Sequence, residues 1–357
     1  MKVLMISRAT LYSSPGGDTI QIESTAKYLR KLGVEVDIRL AHDVSIDYQA
    51  YDLLHLFNLI RPNDFVYHVK QSGKPFVLST VYVDYSEYEK KNRQGFFGLM
   101  AKVLGKHKTE YVKVLARAIL NGEKIVSPHY LFWGHKRSMK WLVKQASYLL
   151  PNSFSEMARV DRDLQVKKPF AVIPNAIDKE KFWSEKDPSK REGVICVARI
   201  EGLKNQLNLI RAMQGLDISL CLIGKVSPNH QSYYEQCIQA AGANVTFLDH
   251  ISQQELKEIY RKAKVHVLPS WFETTGLSSL EAAFLGCNIV VTRKGDTEEY
   301  FGNYAFYCEP DDIDSIKKAV VRAYDLPYPA EFRDRIEKNY VWEVTAQKTL
   351  EAYKQVI

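Results

Sequence analysis

Leu268-Pro269-Ser270-Trp271-Phe272-Glu273-Thr274-Thr275-Gly276-Leu277-Ser278-Ser279-Leu280-Glu281-Ala282-Ala283 is the stretch on which the reading of this chain turns. It follows Lys264-Val265-His266-Val267-Leu268, an alternating apolar run that reads as a short buried strand. Pro269 and Ser270 stop the strand, and Gly276 marks a tight turn that opens a helix. Leu277, Leu280, Ala283 and Phe284 give that helix an apolar face. Two carboxylates bracket the turn: Glu273 in the loop above the strand and Glu281 inside the helix. Backbone N–H groups at a helix start attract anions. A strand, a turn and a helix start with carboxylates around them suit a ligand that carries phosphate and hydroxyls, as a sugar nucleotide does. Two glutamates near a helix start serve equally well as ordinary dipole charges, so the surroundings must decide.

Working outward, Val197-Ala198-Arg199-Ile200-Glu201-Gly202-Leu203-Lys204-Asn205 has a similar layout. Arg199 leaves a strand end and Lys204 precedes a helix. A diphosphate leaving group gains negative charge as its bond to carbon breaks, and fixed cations aimed at that charge provide much of the rate. Arg grips phosphate through two parallel hydrogen bonds, while Lys acts as a point charge. A solvated Arg and Lys in a loop would read the same way.

The rest of the chain alternates strands and helices in two sets. The first has strands at Val3–Ser7, Val34–Leu40, Tyr51–Phe57 and Pro75–Tyr82, with helices at 19–31 and 62–72. Ala146–Leu150 and Phe170–Pro174 complete it. Lys179 to Glu192 is charged, contains Pro188 and reads as a linker. The second set has strands at 193–198, 218–223, 244–248, 264–268 and 289–292, with helices between them and a closing helix at 342–355. Such alternation implies parallel sheets covered on both faces. The expected domains are therefore 1–178, a linker at 179–192, and 193–340, with 341–357 crossing back to the first. Ligand is expected in a cleft at the carboxyl ends of the strands.

Length and composition set bounds. A chain of 357 residues suggests two domains, and its 46% hydrophobic content is that of a globular protein. No apolar run is long enough to span a membrane, and Met1-Lys2 enters a strand rather than a signal peptide. Five scattered cysteines, Cys196, Cys221, Cys237, Cys287 and Cys308, suggest buried thiols in a reducing, cytoplasmic setting. No metal-ligand cluster is visible. No Gly-x-Gly-x-x-Gly follows either first strand, and no Walker-type loop is present.

Pro-Ser-x-x-Glu-x-x-Gly-Leu-x-x-x-Glu-Ala resembles the Glu-x7-Glu signature of retaining glycosyltransferase family 4, and the match spans most of the chain. Arg199 and Lys204 fall on that family's Gly-Arg-x-x-x-x-Lys segment, with Ala198 in place of glycine. Val172-Ile173-Pro174-Asn175-Ala176-Ile177-Asp178 resembles its Val-Ile-Pro-Asn-Gly-Val-Asp. The resemblance implies α/β architecture of the GT-B type, with two Rossmann-like domains facing across a cleft. It implies retaining glycosyl transfer from a UDP- or GDP-sugar without a metal or cofactor. Glu281 would hold the ribose hydroxyls. Glu273 would face the donor sugar, and Arg199 and Lys204 the diphosphate. Thr275, Gly276 and Leu277 would present backbone amides, Gly224 would let backbone approach the nucleotide, and the turn with His250 and Ile251 would meet the base. Pro15-Gly16-Gly17 resembles the family's glycine-rich loop, where Gly16 and Gly17 permit positive φ and close approach to an anion. A histidine usual at the end of the fourth strand is missing. Tyr82 stands at its place, with Asp84 two residues on, and either one suits hydrogen bonding to sugar or acceptor. With no evident nucleophile, same-face attack by the acceptor hydroxyl, with the departing phosphate as base, is expected. The acceptor would be a glycan of the bacterial surface, or one linked to a polyprenyl diphosphate. A GT-B phosphorylase or epimerase and a noncatalytic sugar-nucleotide binder share these features.

One segment lies outside that pattern. Residues 90–144 hold thirteen Lys or Arg against two Glu, a net +11 in a chain of net +7. Helices are expected near Phe96–Leu104, Thr109–Leu120 and Lys136–Gln145, with aromatics interleaved among the cations. Basic amphipathic helices of this kind lie on anionic membranes, here the cytoplasmic face of the inner membrane. A solvated basic face over a packed core is the plainer alternative, and nucleic acid is not the expected partner.

Overall fold

The computed structural model describes residues 1–92, 105–120, 125–183, 190–249 and 251–357. They form two compact units, one of Met1–Ala176 with Trp342–Ile357 and one of Ile177–Val341. The first unit carries a sheet of β1 (Lys2–Ser7), β2 (Glu35–Leu40), β3 (Leu53–Phe57), β4 (Phe76–Ser79) and β5 (Tyr148–Leu149) in the order β2-β1-β3-β4-β5. Every pairing is parallel. The inner strands β1, β3 and β4 are apolar at most positions because both faces are covered, while the edge strand β2 alternates. Leu4 and Ile6 of β1 join one core with Leu56, Leu78, Met139 and Val160. Val3 and Met5 join another with Ile22, Leu29, Trp342 and Tyr353. The C-terminal helix Trp342–Tyr353 thus closes the second face, and the Tyr353 hydroxyl lies 2.7 Å from Nδ1 of the buried His55.

The second unit carries β6 (Val194–Val197), β7 (Leu220–Ile223), β8 (Val245–Leu248), β9 (Val265–Leu268), β10 (Asn288–Thr292) and β11 (Ala305–Cys308), ordered β11-β10-β9-β6-β7-β8 and again all parallel. From β6 the chain builds outward through β7 and β8, then returns to the other side with β9. The order therefore reverses between β6 and β9.

Three differences from the sequence-based elements have local causes. Phe170–Pro174 is not a strand: only Phe170 bridges to Leu149, and Pro169 and Pro174 flank a run whose pairing is irregular. β4 stops at Ser79 rather than Tyr82, because Val81 takes φ +40° and a buried Glu156 captures the groups around it. Lys179–Phe182, within the expected linker, form a short helix whose buried Phe182 ring meets Tyr260. The expected helix at Phe96–Leu104 lies outside the described residues. Among the described residues no helix is long and apolar enough to cross a membrane.

Candidate functional site

A reversal of strand order leaves the loops after the two flanking strands diverging above the sheet edge, which is where open parallel sheets take ligands. In the second unit those loops follow β6 and β9, and they carry Lys204 and Glu273. Sixty-nine residues apart in sequence, the two side chains meet with Lys204 Nζ 2.5 Å from Glu273 Oε1. Several bonds fix the pair. Asn205, left-handed at φ +62°, ends the turn Gly202–Lys204 and donates its side-chain amide to the Pro269 carbonyl at 3.1 Å and the Pro310 carbonyl at 2.6 Å. The Trp271 amide donates to the Leu203 carbonyl at 2.9 Å. Below them His266 of β9 is fully buried, accepting from the Val197 amide at 3.5 Å through Nε2 and meeting Ser279 Oγ at 3.3 Å through Nδ1. Burial pushes its pKa down to about 3, so the ring is neutral and structural.

Glu273 is held from the other side by the loop after β10. Its amide donates to Lys294 O at 3.0 Å, and its carbonyl accepts from the Asp296 amide at 2.9 Å. Gly295 lies between, at φ +99°, where a Cβ would stand 1.9 Å from the Glu273 oxygen. Arg199 is half-exposed, with Nη2 3.4 Å from Glu201 Oε1, while Glu201 Oε2 accepts from Ser227 at 2.6 Å. The guanidinium is therefore tethered loosely at the rim. Gly224 is required by the fold itself. Its φ is +147° and a Cβ would stand 2.1 Å from the Ala198 carbonyl oxygen, so the missing side chain lets the ends of β6 and β7 approach each other.

The helix Leu277–Phe284 begins at Gly276, which takes φ +71°. The Ser279 and Leu280 amides turn back to the Gly276 carbonyl at 2.8 and 3.1 Å. The amides of Leu277 and Ser278 come before the first intrahelical bond and point out of the helix start. Thr275 is buried beside them and Leu277 is partly buried. Glu281 accepts the Tyr260 hydroxyl through Oε2 at 3.1 Å. Burial raises its pKa to about 7, against the opposing pull of Tyr260 and Lys181. Ile251, partly buried, precedes the Ser252 cap of the helix Gln253–Lys262; His250 lies outside the described residues.

The Glu281 shift has a testable sign. Between its ordinary 4.5 and about 7 the folded chain holds a proton that the unfolded chain has lost. Stability therefore falls as pH rises through that window. Glu281→Gln is expected to flatten this part of a melting-temperature profile taken between about pH 5 and 8. An unchanged slope would remove Glu281 from the account.

In the first unit Gly16 and Gly17 do not use the left-handed region. Gly16 is extended at φ −154° and caps the helix Gly17–Lys31. The loop is shaped instead by Arg8, which sequence reading missed. Its guanidinium donates to Asp18 Oδ2 at 2.5 Å and Oδ1 at 2.9 Å, and to Thr10 O, Thr10 Oγ1 and Ser14 O, each at 2.8 Å. All five N–H groups are used. A lysine keeps the charge but not the fork. Arg8→Lys is expected to lower stability by about 1–3 kcal/mol and to open residues 10–17 to limited proteolysis. An unchanged digestion pattern would show that the loop holds itself.

Tyr82 is buried, and its hydroxyl donates to Asp163 Oδ2 at 2.9 Å. Glu156 accepts from Thr80 Oγ1, from the Tyr82 amide at 2.8 Å and from the Asn152 amide at 3.0 Å. Arg159, one turn on, reaches the Tyr82 carbonyl at 3.3 Å. Glu156, Arg159 and Asp163 share one face of the helix Phe154–Leu164, so that helix clamps the turn in which β-branched Val81 is strained. Asp84 meets Lys106 Nζ and the Ser86 amide, each at 3.1 Å. Burial pushes its pKa up, but the bonds from Ser86 and the charge of Lys106 outweigh that and hold it below the usual carboxylate value. Tyr82, Asp84, Lys106, His107 and His135 line a cavity of about 50 Å³. Of the two residues considered for the missing histidine, Tyr82 has its hydroxyl engaged within the protein, and Asp84 lines the cavity with a lysine beside it.

Residues 177–340 match the family described as glycosyl transferases group 1. The chain is 26% identical to the MMP alpha-(1->4)-mannosyltransferase of Mycolicibacterium hassiacum over 63% of its own length and 58% of that protein's. It is 25% identical to an uncharacterized glycosyltransferase of Methanocaldococcus jannaschii, covering 99% of this chain and 98% of the other. The Anabaena protein HepE, solved in complex with UDP and glucose, shares the fold at a TM-score of 0.70 and 14% identity, with both chains fully covered. The chain has the two parallel sheets of the GT-B architecture. Its Ile177–Val341 unit belongs to glycosyl transferases group 1.

Proposed function

We propose that the second unit binds a UDP- or GDP-sugar and that the enzyme transfers the sugar, with retention, to a hydroxyl of a surface glycan or a polyprenyl-diphosphate-linked acceptor. The observation that carries this reading is the Lys204–Glu273 pair at the reversal of strand order, next to the amide-lined start of the helix Leu277–Phe284. A diphosphate laid on the Leu277 and Ser278 amides meets a fixed cation in Lys204 and a mobile one in Arg199. Charge gathering on the departing phosphate is then neutralised by groups already in place. Glu281, once ionised, accepts two hydroxyls and grips the ribose. Glu273 is aimed by the Gly295 loop, and Lys204 holds its charge. It orders the donor sugar and stabilises positive charge at the anomeric carbon. The acceptor hydroxyl attacks on the face that the phosphate leaves, and the phosphate oxygen takes its proton.

The first unit supplies the acceptor side in this reading, through the loop at Gly16 and Gly17 and through Asp84, with Tyr82 as a fixed wall. Its acceptor is presented at the cytoplasmic face of a membrane. The nucleotide named for HepE supports UDP, and the mannosyltransferase relative supports a hexose donor.

Thermal melts against UDP, GDP, ADP and their common sugars test the proposal. A ligand that binds only the folded chain raises the melting temperature by mass action. One base should stand out. No shift with any nucleotide, or equal shifts with all of them, would overturn the reading.

A further inference from the structure

The basic segment divides into two kinds of cation. On the helix Lys106–Leu120, Lys106 is bound by Asp84 and Asp163, and Lys113 by Glu89 and Glu110. These lysines are spent inside the unit. The helix Pro128–Gln145 differs. Its eighteen residues hold Lys136, Arg137, Lys140 and Lys144 and no Asp or Glu. Among the described residues no carboxylate pairs with any of the four. Lys136, Arg137 and Lys144 are exposed and Lys140 is partly so. Lys136, Lys140 and Lys144 recur every fourth residue and form one stripe.

The apolar face of this helix is not free. Met139, Leu142 and Val143 are buried in the core, and Trp133 and Trp141 pack at its edge with Lys70 over both rings. What stays outside lies before a kink. Gly134, at φ +71° and ψ 176°, breaks the helix and leaves Leu131 43% exposed and Phe132 84% exposed, immediately before the cationic stripe. Single exposed apolar residues are ordinary; here two adjoin in sequence, with unneutralised Lys136 and Arg137 following within five residues of Phe132. The patch is a wedge of two apolar side chains with four positive charges next to it. A protein partner of matching shape would need an acidic rim. An anionic bilayer offers negative headgroups and a hydrocarbon layer just beneath, and so satisfies both parts at once.

We propose that the Leu131–Phe132 ridge at the Gly134 kink, with Lys136, Arg137, Lys140 and Lys144, docks the protein on anionic lipid. This deepens the reading of a membrane-presented acceptor and rests on it for purpose, but not for its physical test. Co-sedimentation with phosphatidylcholine vesicles, with and without phosphatidylglycerol, measures it. Binding is expected to the anionic vesicles only and to weaken as salt rises. Phe132→Ser should reduce it about tenfold, and the combined variant K136E/R137E/K140E/K144E should abolish it. Both changes are on exposed or rim side chains, so each variant should keep the parent melting temperature and the parent shift with UDP or GDP. That shift separates the two readings: a parent enzyme that responds to nucleotide but ignores vesicles overturns docking alone. Vesicle binding unchanged in either variant, binding to neutral vesicles, or preferential capture by a duplex oligonucleotide over anionic vesicles would also overturn it.

Discussion

Lys204→Met is expected to lower sugar transfer by about 10²–10³-fold while leaving the fold intact. The substitution removes the cation that the reversal of strand order brings above the sheet, in contact with Glu273. Two causes could lie behind such a loss. Either the departing phosphate loses its counter-charge, or the Glu273 carboxylate, 8% exposed, is stranded without a partner. The double variant Lys204→Met/Glu273→Gln tests the second cause in one direction: it removes the stranded charge along with the lysine, so any recovered transfer comes from relief of that charge. The proposed role requires that the double variant recover none of the lost transfer. Recovery to within a few-fold of the parent would make Lys204 a structural counter-ion only. Initial rates for release of free nucleotide from the sugar nucleotide identified by thermal melts provide the measurement.

Gly295→Ala should be the most damaging single-methyl change in the second unit. The added Cβ would stand 1.9 Å from the Glu273 oxygen and 2.8 Å from its carbonyl carbon, both backbone atoms. Neither can retreat easily, since the same segment is bonded through the Glu273 and Asp296 amides. Overpacking of this kind costs about 1–3 kcal/mol, and the left-handed φ adds about 1–2 kcal/mol. Gly302→Ala provides the comparison. Gly302 also has a positive φ, +51°, but nothing lies within 4 Å of a Cβ there. It should show the conformational part alone, about 1–2 kcal/mol. Chemical denaturation of both variants measures the difference. Equal losses would mean that the loop after β10 yields, and that Glu273 is not aimed by it.

The sheet pattern could be read from local rules. Val3–Ile6 is apolar at consecutive positions and Val265–Leu268 at all but His266, the pattern of short strands covered on both faces, and each is followed by turn chemistry. The four groups proposed for the donor, Arg199, Lys204, Glu273 and Glu281, stand out in the sequence by their positions after strands and around a helix start, and by the family resemblance. Arg8 could not. A lone arginine after β1 looks like any surface charge until the chain folds Thr10, Ser14 and Asp18 around it. Glu156 was hidden for a related reason. Its partners Thr80 and Tyr82 lie more than seventy residues upstream, and nothing near it in sequence marks it as buried. Gly16, Gly17 and Gly224 were recognised as glycines that matter, but sequence does not say which neighbour a missing Cβ makes room for.

The basic segment shows the same division. Charge counting found an excess of cations across 90–144, yet it could not separate lysines answered by carboxylates from other elements from those left in water. By itself the sequence determined which residues become strands and helices, and which chemical groups sit at their ends, because both follow from period, turn residues and composition within a few neighbours. The tertiary structure alone decided which of those ends meet. Lys204 touches Glu273, and Lys106 touches Asp84 and Asp163, because strand order and helix packing bring distant segments together, and a charge acquires its role only from what stands within a few ångströms of it.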